Sequence, residues 1–307
     1  MHIPAHYLEK IRSLHPNLTL EHLELNQDGV NNDIVIINQE RVCRFPKSER
    51  AKKALMQEAK VLQLVQRHID TSIGVPQFEC LDEECVSYPF IRGEPLSRNR
   101  LLKLDATIQE ALLEQFGSFY QQLHAIPIEV IEAARISASP VICSREEMLA
   151  LYEQVQQTLF PHLWKHQRVW IEEHFESLIT GALDLSYAPA LIHGDLACYH
   201  ILFDSDAQAI SGIIDFGTAG IGSPAVDVSG MLDIFGETTV TRIARYHSGI
   251  EAVIEQARFG AGTVWLQWAL IGMQENRPEF LLAHLGHIVR DIQPFGTPLG
   301  SRSITVA

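Results

Sequence analysis

His193, Asp195 and His200 fall within the stretch "LIHGDLACYHILFD" (191–204), and "SGIIDFG" follows at once with a further aspartate, Asp215. Carboxylate and imidazole at this density serve one of three ends: a metal site, a catalytic loop, or a polar turn between two buried strands. H-x-D alone is common in satisfied turns. Asp215 changes the balance, because it closes an apolar run 20 residues after Asp195. A hairpin between "YHILFD" and "ISGIIDF" would bring both carboxylates and His200 into one cleft. That set suits a hard divalent cation such as Mg²⁺, which takes few protein ligands and completes its shell with phosphate or water oxygens.

A zinc hydrolase built from His193, Asp195 and His200 is the rival chemistry. It lacks an H-E-x-x-H helix or a well-placed third histidine. Cys198 lies beside the motif, but a buried, unreactive cysteine is the commoner case. The five cysteines (Cys43, Cys80, Cys85, Cys143, Cys198) are odd in number and include no C-x-x-C pair. They argue against a disulfide framework and against structural zinc.

The elements that must position these residues can be read from pattern. "LEHLEL" (20–25), "DIVIIN" (33–38) and "RVCRF" (41–45) are short strand-like runs separated by turn residues, as in an antiparallel meander. "SERAKKALMQEAKVLQLVQRHI" carries Leu55, Ala59, Leu62, Val65 and Ile69 at helical spacing. "GVPQFEC" and "CVSYPFI" read as two more strands, and "RGEPLSRN" as a crossing loop. Helices then dominate: 106–126, 144–160, 163–183, 224–236, 238–257 and about 261–292, interrupted by the motif region. The tail "GTPLGSRSITVA" reads as loose.

At 307 residues the chain is long enough for two lobes, and 46% hydrophobic with 20% charged residues is ordinary globular composition. No apolar run reaches membrane-spanning length, and the polar, amphipathic start is unlike a signal peptide, so a cytoplasmic location is expected. The net charge of −14 is uneven: residues 1–93 carry 13 acidic and 11 basic side chains, residues 94–307 carry 25 and 13. Nucleic acid and anionic membranes are poor partners for such a surface, whereas a cationic small molecule would be drawn to it. Acidity that serves only solubility is the bland alternative.

The motif pair resembles the catalytic and metal-binding elements of the protein-kinase-like fold, specifically the aminoglycoside phosphotransferase family. "HGDLACYH" fits H-x-D-x-x-x-x-N through His193 and Asp195, with His200 in the asparagine's place. That variant looks like the loop of aminoglycoside 2″-phosphotransferases and macrolide phosphotransferases. "IDFG" matches D-F-G through Asp215.

The resemblance implies a bilobal α+β fold. Its small N-terminal lobe (1–93) has an antiparallel sheet and one long helix, and its larger, mainly helical C-terminal lobe (94–307) carries catalysis and substrate binding. It implies transfer of the γ-phosphate of ATP or GTP to a hydroxyl of a small molecule. Asp195 would orient the hydroxyl and accept its proton, Asp215 and His200 would hold Mg²⁺, and His193 and Asp227 would brace the loop. His200 must be neutral to coordinate, so activity is expected to fall at mildly acidic pH.

In the first lobe, Arg44 stands where the family often has lysine, with Glu58 on the following helix as its partner and Lys47 as a substitute contact. A surface salt bridge without a catalytic part is the alternative. "NQDGVNND" would cover the nucleotide with Gly29 and Asn31, and the backbone along "CVSYPFI", at Ser87 and Tyr88, would meet the nucleobase.

Downstream, the family tends to read "IDFGDAxxGDPxxD", against "IDFGTAGIGSPAVD" here. Asp227 is kept, but Thr218 and Ser223 replace acids. Asp233, Glu237 and Glu275 are the candidates for an acceptor's amines. Trp265, Trp268 and Phe280 read as helix core or, lining a cleft, as a site for a bulkier acceptor such as a macrolide. An aminoglycoside is the first-choice acceptor, with macrolides, choline or a sugar as alternatives and a monomer or weak dimer as the expected state. Outside the class stand a non-catalytic nucleotide-binding module and the metallohydrolase.

Overall fold

Helix α1 (Ala5–Leu14) precedes a three-stranded meander: β1 (Leu23–Asn26), β2 (Asn32–Ile37) and β3 (Arg41–Pro46) pair antiparallel in sequence. Asn38 and Gln39 adopt left-handed backbone, which lets the chain reverse tightly between β2 and β3. The Ser48 hydroxyl accepts the Ala51 amide and starts α2 (Glu49–His68), whose buried stripe runs through Leu55, Glu58, Ala59, Leu62 and Val65. Strands β4 (Cys80–Leu81) and β5 (Val86–Pro89) complete a five-stranded antiparallel sheet of order β1-β2-β3-β5-β4. A computed structural model describes residues 3–82 and 84–277.

Beyond the sheet come β6 (Glu94–Pro95), α3 (Arg98–Lys103), α4 (Ala106–His124), α5 (Ile128–Ala133), α6 (Arg145–Thr158) and α7 (Lys165–Thr180). The motif region supplies β7 (Ala190–Ile192), β8 (Ile201–Asp204), β9 (Ala209–Ile213) and β10 (Gly220–Gly222). Helices α8 (Pro224–Phe235), α9 (Glu237–Ile243) and α10 (Ile250–Gln274) follow. The architecture is α+β, an N-terminal antiparallel sheet followed by a mainly helical remainder.

Two compact units divide the chain: Met1–Val141 with Pro189–Glu251, and Ile142–Ala188 with Ala252–Ala307. The first holds the sheet and the motif region. The second packs Leu151 and Val155 of α6 with Ile171 and Phe175 of α7 and with Leu266 and Leu270 of α10.

Three expectations change. Only Cys80 of "GVPQFEC" lies in a strand, because Gly74 pairs with the motif region instead, donating to Ser211 and accepting from Ile213. "RGEPLSRN" contributes β6, paired with β8, and then α3, capped by Ser97. The helix expected over 238–257 breaks at 244–249, and α10 runs unbroken through Gly260 and Gly262. Gly262 serves packing rather than termination: a Cβ there would stand 2.4 Å from the His174 ring. Phe280, the end of the helix expected to 292 and the tail lie outside the described residues.

Candidate active site

The β8–β9 hairpin brings the two halves of the motif together. Ile201 pairs with Ile213, and the Ile214 amide donates to the His200 carbonyl at 3.0 Å. His193 and Gly194 leave β7 in a turn that needs glycine, since Gly194 has φ 85° and a Cβ would meet the Thr218 carbonyl at 2.9 Å. Asp215 also adopts left-handed backbone, at φ 65°, which is unusual for a non-glycine residue and aims its carboxylate out of the hairpin.

Two braces hold the loop. Asp227, fully buried in the first turn of α8, accepts the His193 amide at 3.0 Å and the Gly194 amide at 2.9 Å. Burial works to raise its carboxyl, but the hydrogen bonds from His124 and the loop amides outweigh it and hold Asp227 below the usual carboxylate range. The His193 side chain ties the loop to the second half, donating from Nε2 to the Ile214 carbonyl at 3.0 Å while Nδ1 accepts the Asp195 amide at 3.3 Å. Thr218 and Ser223, where the family often has acids, are structural here. Thr218 donates to the His193 carbonyl, and Ser223 caps α8.

Asp195 and His200 are joined through the backbone. His200 donates from Nδ1 to the Asp195 carbonyl at 2.6 Å, which leaves the Nε2 lone pair 3.5 Å from Asp215. Ligand atoms of Asp195, His200 and Asp215 lie within 4.8 Å of one another, and among the described residues no other acidic, histidine or cysteine cluster does so. Two carboxylates and an imidazole nitrogen, with the Asp215 side chain 44% exposed, fit a hard divalent cation that keeps open positions. Burial raises the Asp195 carboxyl above its ordinary range, His200 opposes the rise, and Asp215 adds to it. A carboxylate so raised is a stronger proton acceptor.

Arg44 reaches this cluster from β3. Its Nη1 donates to Glu58 at 2.7 Å and its Nη2 stands 3.7 Å from Asp215. Burial disfavours the cation, but Glu58, Tyr88 and Asp215 more than offset that and keep it protonated. The field of Arg44, with His200, His193 and the Gly217 amide, also overcomes partial burial to hold Asp215 below its ordinary value. Arg44 on the strand, Glu58 on the helix and Asp215 in the loop thus form one contiguous line.

Other residues expected at the donor site play different parts. Lys47 donates to the carbonyls of Gln27 (2.8 Å) and Gly29 (2.6 Å) and pairs with Asp33 at 3.0 Å, so it clamps the β1–β2 loop. Gly29 and Asn31 lie exposed on that loop, and the Asn31 carbonyl accepts the Lys47 amide. Ser87 is buried inside the sheet, where its carbonyl accepts the Glu79 amide and its hydroxyl meets His15. Tyr88 of β5 pairs with Val42 of β3 and turns its ring onto Phe78 and toward Arg44.

Of the three acids expected at the acceptor, Asp233 on α8 is electrostatically tied to the motif through Tyr199. Glu237 is exposed at the start of α9, and Glu275 belongs to the second unit, as do the half-buried Trp265 and Trp268. Three residues escaped the sequence. Tyr199 is 57% exposed, with its ring edge-on to His200 at 4.5 Å. Partial burial and then Asp195, Cys198, Asp215 and Asp233 push its phenol up to about 12. His124 ends the buried stripe of α4 and donates to Asp227 at 2.9 Å; a histidine on an apolar stripe was its available signal. His247 sits in the break before α10 and gives no pattern signal.

A buried strand arginine paired to a helix glutamate and facing the carboxylate of the D-F-G sequence is the arrangement of protein-kinase-like phosphotransferases. Residues 22–259 match the Phosphotransferase enzyme family (APH), and the chain belongs to it. It is a small-molecule kinase. The chain is 26% identical to viomycin phosphotransferase of Streptomyces vinaceus over 80% of its own length and 86% of the relative's. It is 23% identical to the uncharacterized protein YcbJ of Bacillus subtilis (strain 168), over 86% and 82%. The solved GDP and kanamycin complex of APH(2″)-IIIa matches with a TM-score of 0.81 and 25% identity, covering 93% of this chain and 97% of that one. No helix among the described residues is long and apolar enough to cross a membrane.

Proposed function

We propose that this kinase transfers the γ-phosphate of ATP or GTP to a hydroxyl of a cationic small molecule, with an aminoglycoside as the first acceptor to test. The observation that carries the reading is the meeting of Asp195, His200 and Asp215 within 4.8 Å, with Arg44 behind Asp215. Asp195 orients the acceptor hydroxyl and takes its proton, helped by a carboxyl that burial has raised. Arg44, fixed by Glu58, faces the donor phosphates, and the loop clamped by Lys47 covers them. Asp215 and Nε2 of His200 would hold Mg²⁺, which when bound neutralises phosphate charge.

In this reading residues 1–93 form the nucleotide lobe and 94–307 the catalytic and acceptor lobe, in a cytoplasmic monomer or weak dimer. Asp233 and Tyr199 border the acceptor, and their acidic, aromatic character favours an amine-bearing sugar. The test is nucleotide turnover with Mg²⁺ across aminoglycosides, viomycin, macrolides, choline and simple sugars, with the phosphorylated product identified by mass. Turnover on an aminoglycoside supports the first choice, and turnover on another acceptor alone replaces it. Nucleotide binding without transfer to any of them favours the binding module.

A further inference from the structure

His124 and His247 link the catalytic loop to a turn between α9 and α10. Nδ1 of His124 meets Nε2 of His247 at 2.8 Å, and Nδ1 of His247 accepts the Gly249 amide at 3.2 Å. A backbone N–H can only donate, so Nδ1 of His247 carries no hydrogen and its Nε2 does. That hydrogen points at Nδ1 of His124, which must accept it. The hydrogen of His124 therefore sits on Nε2, directed at Asp227 Oδ2 at 2.9 Å. Asp227 in turn accepts the amides of His193 and Gly194. The chain of donors runs one way, from Gly249 through two imidazoles to the loop that carries Asp195.

The surroundings keep that order. Burial lowers the His247 ring to about 4, so it stays neutral near pH 7. Gly249 leaves room for the approach, because a Cβ there would stand 3.0 Å from His247 Cε1. The His124 ring is flanked edge-on by Tyr120 at 5.8 Å and by His247 at 5.0 Å, which fixes its plane.

We propose that His247 is a positioning residue for phosphoryl transfer: by donating to His124 it sets the ring that orients Asp227, and through Asp227 the two amides that place Asp195. The inference rests on the proposed role of Asp195, whereas the tautomer chain itself does not. A histidine that only filled space would make no demand on which nitrogen carries the hydrogen.

The test uses the full chain and its His247→Leu and His247→Gln variants. Imidazole ¹⁵N–¹H spectra of the wild type are expected to give both rings as Nε2–H tautomers at neutral pH. Amide exchange at His193 and Gly194 is expected to speed up about tenfold in His247→Leu, with Leu191 in β7 unchanged. The glutamine, whose side-chain N–H can still donate to His124, is expected to restore it. With GTP and kanamycin as the probe pair, kcat should fall about tenfold in the leucine variant at constant KM for GTP, and recover in the glutamine variant. An Nδ1–H tautomer on either ring overturns the inference, as does faster exchange shared equally by Leu191. The spectra and the exchange need no acceptor, so a wild type inactive on kanamycin leaves them decisive and counts against the acceptor alone.

Discussion

His200 gives its Nδ1 hydrogen to the Asp195 carbonyl at 2.6 Å, and this one bond turns Nε2 toward Asp215. Asp195 and His200 are therefore set by the same backbone, and a change at one is felt at the other. His200→Asn is expected to keep activity, since an amide oxygen suits Mg²⁺ at least as well. His200→Leu is expected to lose about 10- to 100-fold in kcat and to need more Mg²⁺ for half-maximal rate. A Mg²⁺ titration of turnover in both variants checks this, and an unchanged leucine variant would remove His200 from the metal site.

Glu58 is fully buried with Arg44 as its ion-pair partner. Removing the acid leaves a buried guanidinium uncompensated and free to collapse onto Asp215. Glu58→Ala is expected to cost about 3–5 kcal/mol in urea unfolding and to raise the nucleotide KM. A loss under about 1 kcal/mol would mean that the pair behaves as an exposed one.

Lys47 spends its donors on the carbonyls of Gln27 and Gly29 and on Asp33. Lys47→Met is expected to loosen the β1–β2 loop, so nucleotide KM rises while kcat at saturation changes little. Its ammonium is a third exposed, so unfolding should shift by no more than about 1 kcal/mol. A large fall in kcat at saturating nucleotide would instead make Lys47 a phosphate contact.

Asp227 has its carboxyl held below the ordinary value, so its contribution is present above the unfolded-state pKa and is lost as pH falls through the folded one. Asp227→Asn is expected to cost about 2–5 kcal/mol at neutral pH. The gap to wild type should stay constant down to about pH 5 and close below about pH 4. Unfolding curves across that range check the sign, and a gap that widened in acid would contradict it.

The elements nearest the motifs were legible because their signals are local. Ser48 with the stripe through Leu55, Leu62 and Val65 marks α2, and the two apolar runs around a turn mark the β8–β9 hairpin. The Arg44–Glu58 pair was legible because an acid on an apolar stripe demands a cation. What stayed hidden depends on tertiary partners. Gly74 joins the motif hairpin, Ser87 is enclosed between strands, and Lys47 turns back on its own loop, none of which has a sequence period. The continuity of α10 across 258–260 was not legible either, and the His174 ring that packs on Gly262 is 88 residues away in sequence.

The most direct test is Asp195→Ala, assayed for Mg²⁺-dependent phosphoryl transfer from GTP or ATP to whichever acceptor the wild type uses, with nucleotide binding measured alongside. The account expects kcat to fall at least about 10²-fold while nucleotide binding is retained. Turnover unchanged in that variant would contradict it.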